Sequence, residues 1–325
     1  MREKENLRLS RRLEFLPSKD IIALIIALIA IVALTGVLIP GFATPLHMML
    51  VLYSNAALGI LALAETYVIL TGEIDFSIGS IFWFVTVIGA ITMNGTELLV
   101  PLLICLGLGL LVGFINGVFS SLLRIPSIIT TLAMMIVLTG GLYVITGGGG
   151  HGKAAPQLTE FSVGRTFGVP NMVLLWIILT IVLYVIQERS IFGLSIRAIG
   201  SNPRATYCSG INVSMIKLMV FVISGFLSAV AGLLYLGYAR TPYPLFESGV
   251  GVGATLSLQS IAAVVIGGTS FYGGRGGVHR TFIGVLLLAI LSSALISLGL
   301  GYEWQLIFYG AVILVVTGAY IRLMR

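Results

Sequence analysis

Charge is what this sequence has least of. Only 9% of its 325 residues are Asp, Glu, Lys or Arg, against about 25% in a soluble domain. So few charges cannot cover a water-facing surface. With 58% of positions hydrophobic, a water-soluble enzyme, a disordered chain and a fibrous chain are all excluded. Cysteine is nearly missing: Cys105 lies inside an apolar run and Cys208 in a polar loop, a spacing that suits neither a disulfide framework nor a metal centre. The three histidines, His47, His151 and His279, stand at or near segment ends in different loops. No catalytic triad and no metal cluster is legible, so no catalytic residue, no enzyme activity and no metal are expected of this chain. A nucleotide motif is lacking as well. Gly147–Ala154 reads GGGGHGKA, but Ala154 removes the hydroxyl that would hold Mg²⁺, and the segment follows an apolar helix rather than a strand. If ATP powers this protein, a partner binds it.

What is present is apolar length. A bilayer-crossing helix needs roughly 20 apolar residues, and ten runs are candidates: 21–40, 46–70, 77–94, 98–121, 127–146, 171–187, 217–238, 256–270, 281–300 and 303–321. The expected fold is therefore an all-α polytopic membrane protein, with a basic tail at 1–20 and one transmembrane domain at 21–325. The first run lacks a small-residue cleavage site and reads as an uncleaved anchor; the eighth is the shortest and is cut by Gly267 and Gly268. With both termini in the cytoplasm, fifteen of the eighteen Lys and Arg fall on that side, leaving Lys153, Arg165 and Arg240 on the other. That asymmetry is the positive-inside pattern. It accounts for the net charge of +6 without nucleic acid. Among the 40 glycines, Gly107, Gly109, Gly113 and Gly117 suit close helix packing.

Four polar features interrupt the apolar runs. The hairpin Thr71–Ser80 (TGEIDFSIGS) joins the second and third. Asp75 and Ser77 there either cap the third helix or belong to a tight re-entrant turn, with Gly72 and Gly79 permitting its bends. Glu65 lies in the middle or inner half of the second run, where an acid is costly and points either to function or to a hydrogen bond inside the bundle. The loop 188–217 is the longest cytoplasmic connection. Within it, Ser201 or Asn202 suits an N-cap, Pro203 the first helical position and Gly210 the position past the end. Such a short helix either docks into a partner or lies on lipid headgroups. The turn Gly267–Gly277 (GGTSFYGGRGG) offers backbone free to take positive φ at Gly273 and Gly274, while Arg275 and Arg280 can meet phosphate or a partner's acids. Val68–Gly72 and Val264–Gly268, each followed by a small polar turn, hint at an internal repeat.

Four blocks, Val68–Ser80, Arg124–Gly148, Arg197–Val213 and Ile261–Gly277, make the chain resemble the permease subunits of bacterial ABC monosaccharide importers of the ribose type. The resemblance implies a multi-pass inner-membrane protein, type II-importer-like, that moves a sugar or related small polar solute by alternating access. It implies three partners: a second permease (a copy or a relative), a cytoplasmic subunit that binds ATP and Mg²⁺, and an external sugar-binding protein. It also implies that Asn202–Gly210 is a coupling helix, with Arg197, Gly200, Asn202, Pro203, Arg204, Ala205, Ser209 and Gly210 on or beside the loop pattern. The chain departs from that family's usual pattern at Glu73, in place of a glycine, at Glu65, in place of a small residue, and at Leu256–Gln259, where an acid is missing. Candidate hydroxyl-pairing residues for the path are Asn55, Glu65, Asn116 and Gln259. Two alternatives stand beside this reading: a branched-chain amino-acid permease of the same architecture, and a self-sufficient secondary carrier coupled through Glu65 and Asp75.

Overall fold

A computed structural model of the protein describes residues 19–94, 97–242 and 252–323. Most of the basic tail (residues 1–18) and the final two residues lie outside the described residues, and with them the placement of both termini. Among the described residues the fold is all-α apart from one short hairpin. In chain order the helices are α1 (Lys19–Leu38), α2 (Pro45–Leu70), α3 (Ile78–Met93), α4 (Leu99–Gly117), α5 (Ser127–Thr146), α6 (Pro156–Val163), α7 (Asn171–Arg189), α8 (Ile191–Ser201), α9 (Pro203–Cys208), α10 (Val213–Ala239), α11 (Val252–Ile266), α12 (Val278–Ser297) and α13 (Tyr302–Leu323). A π-helical turn, Val118–Leu122, extends α4. Strands β1 (Arg165–Thr166) and β2 (Val169–Pro170) pair antiparallel between α6 and α7.

Every apolar run read from the sequence carries a helix. By length and composition, seven of the described helices can cross a membrane. Two others, α3 with 16 residues and α11 with 15, fall short of that length; before α3 the chain turns inside the bundle.

The core forms around α2 and α10. From Ala56 to Leu70 every residue of α2 is buried, the condition of a helix that is apolar or small all round. Small residues let neighbours approach: a Cβ built on Gly59 would lie 2.2 Å from the Trp176 ring of α7. Helices α4 and α10 meet through reciprocal glycines. A Cβ on Gly109 would lie 2.5 Å from Gly225 O, one on Gly225 2.1 Å from Gly109 O, and one on Gly113 2.4 Å from Phe221 O. Gly117 packs on Leu218 in the same row, whereas Gly107 has nothing within 4 Å and is no part of that contact.

Helix α10 spans 27 residues, about 40 Å at 1.5 Å per residue, so Lys217 and Arg240 mark opposite ends of the bundle. Arg240 O accepts from Ala154 N–H at 2.8 Å, and Lys153 N–H donates to Ala90 O at 3.1 Å. The segment 153–170, to which the sequence reading gave no structure, builds a small cap there. Lys217 lies beside Arg124 and Arg204 at the other end. Among the described residues, Arg124, Arg204 and Lys217 thus stand at one end of the bundle, and Lys153 and Arg240 at the other.

Candidate functional site

Helix α2 ends in a Schellman closure: Gly72 N–H donates to Ile69 O at 2.9 Å and Glu73 N–H to Val68 O at 3.3 Å. Gly72 takes φ +78°, a conformation that costs other L-residues about 1–2 kcal/mol. The chain then runs back alongside the helix it has left. Asp75 N–H donates to Glu65 Oε1 at 3.3 Å, which lies about 7 Å back along α2 at helical rise. Non-helical backbone at this depth survives only if neighbours satisfy it. Here they do. Ile74 N–H donates to Ser127 Oγ at 3.2 Å and Phe76 N–H to Thr131 Oγ1 at 3.1 Å, both on α5. On α11, Ser257 Oγ donates to Phe76 O at 2.8 Å and accepts from Gly79 N–H at 3.0 Å.

Asp75 is the hub. One of its oxygens accepts from Ser77 N–H at 2.9 Å and Ser77 Oγ at 2.6 Å, and the other accepts from Ser224 Oγ on α10 at 2.9 Å. Asn116 Nδ2 on α4 donates to Ser77 Oγ at 2.8 Å. Glu65, Asp75, Ser77, Asn116, Ser224 and Ser257 are all fully buried. Ser77 makes no side-chain cap bond to α3, while Asp75 accepts from the N–H two residues on, in the turn that leads into that helix. Gly79 lies within α3 rather than at a bend. It lets the starts of α3 and α11 touch, since a Cβ there would stand 2.0 Å from Gly253 O. Two acceptors of the cluster, Glu65 Oε2 and Asn116 Oδ1, have no partner among the described residues.

Below this cluster, three of the sequence blocks meet backbone to backbone. Gly274 N–H donates to Leu70 O at 3.0 Å. A Cβ on Gly200 would lie 2.0 Å from Leu70 O and 2.2 Å from Gly274 N, and one on Gly273 would lie 2.8 Å from Gly72 N. Gly267 likewise abuts Arg280 O, at 2.5 Å from its would-be Cβ. Positive φ at Gly268, Gly273, Gly274, Gly276 and Gly277 shapes the turn. Gln187 Oε1 of α7 accepts from Val278 N–H at 2.9 Å, and Arg197 pairs with Glu188.

The connection 188–217 folds as two helices. Ser190 Oγ caps α8 by accepting from Gly193 N–H at 3.1 Å. Asn202 Oδ1, rather than Ser201, caps α9, accepting from Ala205 N–H at 3.0 Å with Pro203 in the first turn. Gly210, at φ +86°, follows the Ser209 C-cap. Asn212 Oδ1 then starts α10 by accepting from Met215 N–H at 3.0 Å, so Lys217 stands inside a helix. Helix α9 leaves Pro203, Arg204, Ala205, Tyr207, Cys208 and Ser209 either exposed or on the rim of a cavity of about 650 Å³. Arg124, Glu73 and Lys217 share that cavity, and the last two form an ion pair.

The structure therefore brings Glu65, Asp75, Ser77, Gly79 and Asn116 together, and separately gathers Gly72, Gly200, Gly273 and Gly274. Glu73 joins neither group, because it turns outward to Lys217. Asn55 is spent within its own helix, donating to Val51 O at 2.9 Å, and Gln259 is half-buried on α11 and makes none of the cluster's bonds. The sequence reading missed Ser127, Thr131, Ser224 and Ser257. Their only signal was a hydroxyl inside an apolar run. Among the described residues no group of three metal-ligating side chains occurs.

Residues 47–317 match the family described as branched-chain amino acid transport system / permease component. The ribose import permease protein RbsC of Escherichia coli (strain K12) is 34% identical over 89% of this chain and 90% of its own length. RbsC of Bacillus subtilis (strain 168) is 32% identical over 89% of each. The fructose import permease protein FruF of Bifidobacterium longum is 34% identical over 85% of this chain and 77% of its own. No solved structure matches this chain.

Proposed function

The chain belongs to the permease component family of branched-chain amino acid transport systems, and on that premise we propose that it is the membrane-spanning subunit of an ABC importer for a monosaccharide or similar polyhydroxylated solute. The observation that carries the substrate class is that its relatives in Escherichia coli, Bacillus subtilis and Bifidobacterium longum are ribose and fructose permeases, similar along most of their length. The amino-acid alternative rests on the family's name alone. A self-sufficient carrier coupled through Glu65 and Asp75 has less support, because Asp75 is committed to holding the re-entrant turn.

In this reading the chain does no covalent chemistry. A cytoplasmic partner binds ATP and Mg²⁺ and seats α9 and its flanking loop in a groove, with Pro203, Arg204 and Tyr207 exposed toward it. An external sugar-binding protein delivers substrate to the end that carries Lys153, Arg165 and Arg240. A second permease, a copy or a relative, completes the path. The junction of Gly72, Gly200 and Gly274 passes the movement of α8 and α9 directly to the end of α2 and to the re-entrant turn, since backbone packed on backbone cannot slide freely. Glu65 Oε2 and Asn116 Oδ1 are the acceptors free to meet substrate hydroxyls when the turn opens.

The test is co-purification from the native host together with sugar uptake. Wild type should retain an ATPase subunit, and Arg204→Glu and Pro203→Gly should lose both the subunit and uptake while the protein still inserts in the membrane. Unchanged ATPase recovery and uptake in both variants would overturn the docking assignment.

A further inference from the structure

A second cavity, of about 540 Å³, opens at the same end of the bundle as α9 but on the side of α7 and α12. Its wall is basic. Arg197, Arg275, His279 and Arg280 line it, Glu188 is the single acid, and Tyr184 closes one side. Glu188 Oε1 is already engaged, pairing with Arg197 and accepting from Gln187 Nε2 at 3.1 Å, so the wall keeps a surplus of positive charge. Two nitrogens in it, Arg197 Nε and His279 Nδ1, are buried and have no partner among the described residues. Arg275 is exposed at the cavity mouth on the glycine-rich turn. A wall of three guanidiniums and an imidazole beside one carboxylate is the complement of a phosphate.

The cavity is not sealed in protein. Tyr184 sits edge-on to His279, with ring centroids 5.5 Å apart. Along the same helix, Ile178, Ile181 and Val185 stand exposed as a continuous apolar lane leading away from the cavity. In a membrane protein such a lane faces acyl chains. Tyrosine is the residue enriched where chains give way to headgroups. A basic hollow that ends an apolar lane is the shape of a phospholipid with its headgroup seated.

We propose that the hollow formed by Arg197, Arg275, His279 and Arg280 binds the phosphate of an anionic phospholipid, whose acyl chains lie along the Ile178–Val185 face of α7. The site sits on the Gly267–Gly277 turn and on α8, next to the Gly200–Leu70–Gly274 junction, so an occupied headgroup braces the elements that meet there. The assignment does not depend on the transported solute or on the ATPase.

The experiment uses the full-length chain, purified in mild detergent and returned to nanodiscs containing phosphatidylglycerol, phosphatidylcholine or mixtures. Native mass spectrometry counts retained lipid, and thermal unfolding reports occupancy independently. Wild type should retain phosphatidylglycerol in preference to phosphatidylcholine and unfold at higher temperature with it. Arg275→Ala should weaken that preference about fivefold, the equivalent of roughly 1 kcal/mol per cation near a lipid surface. Arg275→Ala with Arg280→Ala should abolish it, Arg275→Lys should keep most of it, and Arg165→Ala at the far end should change nothing. Arg275 is exposed, so its single variants report even if the double variant fails to fold. Equal retention of the two lipids, or equal retention by wild type and Arg275→Ala, overturns the site. Binding of inorganic phosphate with the same arginine dependence, but no preference among lipids, overturns the lipid in favour of a soluble anion. A loss of ATPase recovery in Arg275→Ala with lipid retention unchanged overturns it in favour of an acidic protein surface.

Discussion

Two helices of this protein end in the same way and then part. At the end of α2, Gly72 N–H donates to Ile69 O and Glu73 N–H to Val68 O; at the end of α11, Gly268 N–H donates to Val265 O at 2.9 Å and Thr269 N–H to Val264 O at 3.2 Å. The glycines take φ of +78° and +80°. The faint likeness of Val68–Gly72 to Val264–Gly268 is thus one capping motif used twice. Beyond the glycine the two turns diverge. After Gly72 the chain re-enters the bundle and its backbone is satisfied by side chains of α2, α5 and α11. After Gly268 it stays at the bundle end and closes largely on its own backbone, with Ser270 N–H donating to Arg275 O at 2.9 Å and Gly273 N–H to Ser270 O at 3.0 Å. A turn that bonds to itself can be rich in glycine, whereas a turn that bonds to its neighbours needs Asp, Ser and Thr at fixed places around it.

The largest expected effect lies where the two turns are locked together. Gly200→Val must push apart Leu70 O and Gly274 N, both backbone, and overpacking of that kind costs about 3 kcal/mol. Thermal unfolding in detergent should show a fall of several degrees or no folded protein at all; an unchanged midpoint would mean that the two turns are not in contact. Asp75→Ala comes next. It strips three accepted hydrogen bonds from a buried site, at about 2–3 kcal/mol, and Ser224→Ala made in the Asp75→Ala background should add little beyond it. A full additive cost in that double variant would show that Ser224 acts elsewhere.

The contrast between the turns is sharpened by two serines. Ser257→Ala leaves Phe76 O and Gly79 N–H without their partner inside the bundle, so a loss of about 1–2 kcal/mol is expected. Ser270→Ala removes one bond, from Tyr272 N–H at 3.2 Å, and Tyr272 is itself exposed, so about 0.5 kcal/mol is expected. Equal losses would break the distinction between a neighbour-held and a self-held turn.

Legibility in the sequence followed the physics of each element. The apolar runs were plain because a bilayer demands about 20 apolar residues in a row. Helix α9 was plain as well, because Asn202, Pro203 and Gly210 are local signals that need no tertiary partner. Helix α8 was missed: its N-cap, Ser190, belongs to a stretch that reads as the polar end of α7. The re-entrant turn was visible as an option at Asp75 and Ser77, but its partners were not. Ser127, Thr131, Ser224 and Ser257 are a few among the hydroxyls scattered along apolar helices of four turns or more, and only the packing of α5, α10 and α11 shows that they face one segment. Gly107 and Gly109 read alike, yet only the latter meets a neighbour, because helix rotation is set by partners rather than by spacing.

The smallest expected effect is a difference near zero, and it bears on the shared closure most directly. Gly72→Ala and Gly268→Ala each force a Cβ into the left-handed region, at about 1–2 kcal/mol. The space available is the same at both: the nearest atom to the new Cβ is 3.5 Å away, Tyr272 O in one case and an Arg280 guanidinium nitrogen in the other. Neither site therefore adds a clash to the conformational cost, and the two variants should unfold within about 0.5 kcal/mol of each other. Transport should separate them where stability does not. Gly72 leads into the segment that carries Asp75, so Gly72→Ala should depress uptake more than Gly268→Ala at equal folded yield. If the stabilities differ by much more than that margin, the two ends are not one motif. If uptake falls equally, the re-entrant turn has no closer link to the path than the glycine-rich one.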